Sequence, residues 1–230
     1  MKITDQFDFK SDLLYKSLTK DDLSLINSVQ EKLKFSKGNN IFYEGGVPTG
    51  MFQIISGRAK KYKTVLNNQQ QIFYIYGKND LLGYHALLSK ERYQDSCEAL
   101  DDLYLNFISV DNFEMLLNKI PVLKDEFLIN MAHEFGVLAN SIAVLAQKSQ
   151  DTRLALFLLI LQKRFELKGE LTKGVNLSRE DMANIVGTSR ESLSRSINNL
   201  KRKQLITVDK RWISVDDEKI EEFISSETSK

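Results

Sequence analysis

The sequence predicts an α+β chain in three stretches: a β-roll of the jelly-roll kind, one long helix, and a helical segment closed by a hairpin. Three observations predict it. From residue 1 to about 110, short runs rich in Ile, Phe, Tyr and Val alternate with Gly, Asn and Asp turn signals. From about 110 to 147 the apolar period becomes helical. After 150 it stays helical until two short β-type runs flank Asp209–Arg211.

Taken in order, Thr19 and Asp22 form a cap ahead of apolar Leu23, Leu25, Ile26, Val29 and Leu33, which predicts an opening helix through Leu33. NNIFYE, GMFQIIS, RAKKYKTV, QQQIFYIYG and DLYLNFISV follow as strands. Gly45-Gly46, Gly57, Asn67-Asn68, Lys78-Asn79 and Asp101-Asp102 mark the turns. Phe113, Leu116 and Leu117 predict a short helix ending at Ile120-Pro121, because the residue before Pro resists the α conformation. A helix of about seven turns then carries Phe127, Met131, Leu138, Ile142 and Leu145 in an imperfect heptad, which predicts a dimer helix. Arg153 to Phe165 is helical, and KGELTKG (168–174) is linker-like. The expected domains are a β-roll at 1–120, the dimer helix and the connection after it at 121–149, and a third domain at 150–230.

The third domain carries the chemistry. Ser178 with Asp181 caps a helix from Arg179 to Val186, Gly187 ends it where a positive φ is cheap, and Thr188-Ser189 opens a second helix through Leu200. Two helices joined by so short a turn cross steeply around Met182, Ala183, Ile185, Val186, Leu193, Ile197 and Leu200. That is the spacing of a helix-turn-helix, and LITV and WISV add a wing. On the second helix Arg190, Glu191, Ser194 and Arg195 fall within about 140° of one another, and apolar Leu193, Ile197 and Leu200 occupy another sector. Arg donates twice to guanine and Glu accepts from cytosine, so Arg190, Glu191 and Arg195 are the candidate base readers. Ser178, Arg179, Ser189 and Lys201, with Lys210 and Arg211 at the wing tip, are candidate phosphate contacts. Within 179–211 eight basic residues face four acidic ones, the footprint of a polyanion partner, in a chain whose net charge is only +1.

Composition excludes several classes. One cysteine, Cys97, leaves neither a disulfide nor the ligands of an iron–sulfur cluster. Two histidines do not make a multi-histidine metal site, so no metal is expected, and a cupin-like enzyme, which wants several histidines in its barrel, would have His85 alone. A haem needs one or two axial ligands, for which His85, His133 and Cys97 are the candidates; wall or core roles are the preferred reading. The longest apolar run, Leu154–Leu161, is far below the ~20 residues of a membrane span, and the first residues lack a secretion signal. The expected location is cytoplasmic.

At LSREDMANIVGTSRESLSRSINNLKRKQLI the chain resembles the winged helix-turn-helix of the Crp/Fnr superfamily of transcription regulators. The glycine-punctuated 35–62 stretch resembles that family's cyclic-nucleotide-binding roll, GKNDLLGYHALL its G-D-F-I-G-E-x-x-L segment, and AVLAQKSQDTRLALFLL its dimer helix and hinge. Arg190, Glu191 and Arg195 match the family's R-E-x-x-x-R reading pattern one for one. The resemblance implies a homodimer on double-stranded DNA, a two-fold site with TGTGA-like half-sites ~34 Å apart, and RNA polymerase as a partner if the chain activates. It also implies an effector pocket whose candidates here are Gly83, Tyr84, Tyr93, Gln94 and Leu138. Cyclic AMP does not fit them. Tyr84 follows Gly83 where binders place Glu; neither strand register puts an arginine where binders place Arg-Ser, Arg92 being one residue away; and Leu138-Ala139 replace Thr-Ser. An interaction protein on the same fold would not need Arg190, Glu191 and Arg195 on one face.

Overall fold

The computed structural model describes residues 6–9, 15–65, 69–167 and 174–228. The chain divides into two compact units. One holds Phe9–Lys63 and Phe73–Gly136; the other holds Met1–Asp8, Thr64–Ile72 and Val137–Lys230.

The first unit is a roll of two four-stranded sheets. Strands β1 (Glu31–Phe35), β2 (Asn40–Phe42), β3 (Gly50–Ser56), β4 (Ala59–Thr64), β5 (Gln70–Tyr76), β6 (Leu81–Leu82), β7 (Ser96–Ala99) and β8 (Leu103–Ser109) pair in the orders β1-β8-β3-β6 and β2-β7-β4-β5. The order alternates between sheets, as a jelly roll requires. Register places Leu33 opposite Leu105, Phe52 opposite Phe107 and Ala59 opposite Ala99, which turns the apolar side chains inward. At Gly50 a Cβ would stand 2.1 Å from the Ile108 carbonyl oxygen, so β3 and β8 close only over glycine. Helix α1 (Lys20–Ser28) opens on the expected Thr19–Asp22 capping box. It does not reach Leu33: in EKLKF a period of two takes over, and Leu33 lies in β1. A one-turn-plus helix, α2 (Tyr84–Ser89), follows β6. Helix α3 (Val110–Lys119) ends at Ile120 as the Pro-adjacent residue predicts. The Asn67-Asn68 turn lies outside the described residues, as does the linker at 168–173.

Helix α4 (Val122–Gln147) runs 26 residues. Its inner face, Leu123, Phe127, Asn130, Glu134 and Val137, is buried at alternating steps of four and three. Leu123 and Phe127 join Ile26, Met51, Ile108, Phe113 and Leu116 in the core of the roll unit, and Met131 packs against that cluster. The expected dimer seam is therefore corrected. Phe127 is an internal core residue, Leu138 and Leu145 are half-buried, and only Ile142 of the five stands out. The outward stripe lies about 100° round the helix: Leu128, Phe135 and Ile142 are 68%, 76% and 65% exposed, with exposed Ala132, Ala139 and Ala146 between them.

The second unit continues through α5 (Gln150–Leu167), α6 (Arg179–Val186), α7 (Arg190–Arg202), the hairpin β9 (Ile206–Asp209) and β10 (Trp212–Val215), and α8 (Asp217–Thr228). The last helix goes beyond the sequence expectation. Its signal is Asp216, whose side chain accepts from the Lys219 amide at 3.3 Å, followed by Ile220 and Ile224, both buried.

Candidate nucleic-acid interface

The helix-turn-helix assembles as its local chemistry dictates. Ser178 Oγ accepts from the Asp181 amide at 2.9 Å and donates to Asp181 Oδ2 at 2.5 Å, closing the N-terminus of α6. Gly187 takes φ +68°, the left-handed conformation that only glycine adopts freely, and Thr188 N donates back to the Ala183 carbonyl at 3.0 Å. Two residues on, Ser189 Oγ accepts from the Ser192 amide at 3.2 Å and opens α7. Met182, Ala183, Val186, Leu193, Ile197 and Leu200 are buried, and Ile185 is half-buried.

That burial decides what α7 shows to solvent. Arg190, Glu191, Ser194 and Arg195 are all exposed, on the helix's first two turns. Arg195 Nη2 donates to Ser192 Oγ at 2.6 Å, which sets the guanidinium before any ligand arrives. Sequence reasoning alone does not single out Ser192; its S-x-x-R spacing is the available signal. Ser194 Oγ turns back to the Arg190 carbonyl, 2.9 Å away. Hydrogen bonds from its own backbone amide and from Ser189 hold the fully exposed Glu191 carboxyl below the usual glutamate range, so it stands ionised as an acceptor. Of the phosphate candidates, Ser178, Ser189, Lys201, Lys210 and Arg211 are exposed. Arg179 is half-buried: Nη1 lies 3.9 Å from Met182 Sδ, and burial lowers its pKa. Lys210 holds φ +53° in the two-residue turn of the hairpin, and Arg211 lies over the Trp212 ring at 6.0 Å.

The effector candidates range from buried Tyr84 and Tyr93 to exposed Gln94. Gly83 caps α2 with φ +84°. Tyr84 is fully buried, and its hydroxyl donates to Glu134 Oε1 at 2.5 Å while accepting from Asn130 Nδ2 at 2.7 Å. Asn130 Nδ2 also reaches Glu134 Oε1 at 2.9 Å, and His85 Nε2 lies 2.7 Å from Glu134 Oε2. Tyr93 stacks on Phe42 with ring centroids 4.1 Å apart. Gln94 is exposed and donates to Glu91, and Leu138 is half-buried on α4. Arg92 points outward to the Gly45 carbonyl, 2.9 Å away. Nearby, Lys61 Nζ pairs with Asp95 at 3.0 Å, both side chains mostly buried.

The electrostatics of this cluster follow from burial and partners. Desolvation presses the Glu134 carboxyl upward; the His85 hydrogen bond and charge, the Tyr84 hydroxyl and the Lys61 ammonium outweigh it and hold it below the usual range. Burial, then the charge of Glu134, raises the Tyr84 phenol, so it remains a donor. Burial raises the Cys97 thiol, which keeps it protonated and poorly nucleophilic.

A capped helix pair turning on glycine, an exposed Arg-Glu-Arg face and a hairpin wing define a winged helix-turn-helix protein, here accompanied by a β-roll. The cyclic nucleotide-binding domain family matches residues 32–119, and the Crp-like helix-turn-helix domain family matches residues 152–222. A fumarate and nitrate reduction regulatory protein of Vibrio cholerae is 25% identical over 202 residues, 86% of this chain and 80% of the relative. A Crp/Fnr-family transcriptional regulator structure from Eubacterium rectale superposes with a TM-score of 0.73 at 21% identity, over 92% of this chain and 97% of the other. The catabolite activator protein of Thermus thermophilus gives 0.53 at 21% identity, over 93% and 98%. The chain belongs to the Crp/Fnr superfamily and is a transcription regulator with a helix-turn-helix DNA-binding domain.

Proposed function

We propose that the chain acts as a homodimer on a palindromic site with TGTGA-like half-sites, through a sensor domain that does not take cyclic AMP. The observation that carries this reading is the shared exposure of Arg190, Glu191 and Arg195 on the first two turns of α7, in the family's reading register. Each arginine matches the donor pair that guanine O6 and N7 accept, and Glu191 matches the cytosine amino group. Exposed Ser178, Ser189, Lys201, Lys210 and Arg211, with half-buried Arg179, supply the sequence-independent grip on phosphate.

The homodimer rests on α4. By length and composition alone this helix could cross a bilayer, and little of its most apolar window is buried. A second copy is the occupant that fits better. Leu128, Phe135 and Ile142 recur every seven residues with Ala132, Ala139 and Ala146 between them, so large side chains of one helix find small ones on its twin. The domain scheme of 1–120, 121–149 and 150–230 follows as sensor, dimer helix with hinge, and DNA-binding domain, and the location as the cytoplasm.

Cyclic AMP lacks its partners here. Tyr84 already holds Glu134, and Arg92 bonds to the Gly45 carbonyl. A buried phosphodiester without a guanidinium is costly. RNA polymerase is the expected partner if the protein activates. A gel shift with a palindromic TGTGA duplex tests the reading: retardation should weaken steeply with salt and disappear on scrambling the half-sites. Equal retardation of both duplexes would refute sequence-specific reading.

A further inference from the structure

Gln150, the first residue of α5, commits its whole side-chain amide to the helix-turn-helix. Nε2 donates to the Ser192 carbonyl and to Ser196 Oγ, each at 2.7 Å. Oε1 accepts from the Thr188 hydroxyl, also at 2.7 Å. One planar group thus holds the turn and the first two turns of the recognition helix. Its partner Ser192 carries the hydroxyl that orients Arg195 at 2.6 Å. Neighbours on α5 extend the grip both ways. Asp151 accepts from Asn199 Nδ2 on the third turn of α7, and Arg153 Nη1 donates to the Leu145 carbonyl at 2.8 Å, near the end of α4.

Apolar contact between α5 and α7 does not need these bonds. Leu154 and Leu158 on α5, and Leu193, Ile197 and Leu200 on α7, are buried and supply packing energy, but such contacts tolerate small rotations and slides. Three short hydrogen bonds on one rigid amide do not, because their strength falls steeply with misalignment. We infer that Gln150 is a positioning residue for sequence reading, which fixes the pitch of α7 against α5 and, through Arg153, against the end of α4. The inference rests on α7 being the DNA-reading helix, as proposed above. Gln150 touches no base; it acts through Ser192 and Arg195.

The test uses the full-length protein and its Gln150→Leu variant, which keeps the volume and removes all three bonds. Three duplexes are titrated: the TGTGA palindrome, the same palindrome with one base pair inserted between half-sites, and a scrambled sequence. Without the three bonds α7 can tilt against α5 and misplace its outward side chains, so palindrome affinity should fall on the order of tenfold. Scrambled binding and its salt slope should hold, and discrimination against the inserted duplex should shrink. Thr188→Val and Ser196→Ala should shift the same readings in smaller steps. Adding Ser196→Ala to Gln150→Leu should cost less than Ser196→Ala alone, since the shared bond is already gone. A folded Gln150→Leu protein with the parent's palindrome affinity and spacing preference would overturn the inference, as would equal loss on all three duplexes. Should that variant not fold, Thr188→Val and Ser196→Ala decide the matter by the same titrations: palindrome affinity and spacing preference as in the parent would overturn it. A parent that shows no preference for the palindrome refutes the DNA reading itself, and does so before any variant is made.

Discussion

Helix α7 and the β-roll use the same side-chain types in opposite ways. On α7, Arg190, Glu191 and Arg195 face water with their outer hydrogen-bonding capacity available, while Ser189 and Ser192 pre-set two of them. Inside the roll unit, Tyr84, Asn130, His85 and Glu134 spend theirs on one another at 2.5 to 2.9 Å. The first arrangement is built to receive a polyanion. The second satisfies a buried carboxylate internally, so its removal leaves several donors stranded. The difference teaches where each region is vulnerable: the proposed reading face in specificity, the roll in stability.

The largest effect should come from the roll. Glu134→Ala strands Tyr84, Asn130 and His85 and should cost about 3–5 kcal/mol, seen as a lower unfolding midpoint in urea with an unchanged slope. A loss below about 1 kcal/mol would mean that the cluster is held by water rather than by Glu134. The same carboxylate sets a pH dependence. Its folded pKa lies below the ordinary 4.5, so its stabilisation is complete above that value and is lost as pH falls through the folded pKa. Glu134→Gln should therefore flatten the acid limb of the stability curve measured from about pH 6 downward. An unchanged limb would assign acid sensitivity to other carboxylates.

Next comes the α4 stripe. Phe135→Glu should remove about 2 kcal/mol of burial per copy and shift sedimentation from dimer toward monomer, with palindrome binding falling alongside. A variant that stays dimeric would place the dimer surface elsewhere. The smallest effect belongs to the proposed phosphate contacts. Lys201→Ala should weaken every duplex alike and reduce the slope of log affinity against log salt by about one. A change in sequence preference would make Lys201 a reader instead.

How far the sequence disclosed all this depended on the range of the contacts. Thr19 with Asp22, Ser178 with Asp181, and Gly187 after Val186 act within a few residues, and each is found where its spacing predicts. The exposed face of α7 was legible for the same reason: helical period and apolar positions fix what faces outward. The Tyr84–Glu134 bond spans 50 residues and depends on how the first part of α4 packs in the roll unit, which no local pattern reports. The outward stripe on α4 differs from the expected seam by a single step. A helix apolar nearly all round has no sequence signal for its inner face, and burial of Phe127 beside Phe113 decides it. Residues 31–35 form a strand because two lysines alternating with Leu33 and Phe35 suit a half-exposed sheet better than a helix.

The most direct measurement of the central claim compares the parent and Arg190→Ala on the TGTGA palindrome and on palindromes carrying each other base pair at the guanine assigned to Arg190. The parent should separate these duplexes by about 1–3 kcal/mol, and Arg190→Ala should bind the original more weakly by a similar amount while treating all four nearly alike. A variant that still ranks the four duplexes as the parent does would show that Arg190 does not read the base.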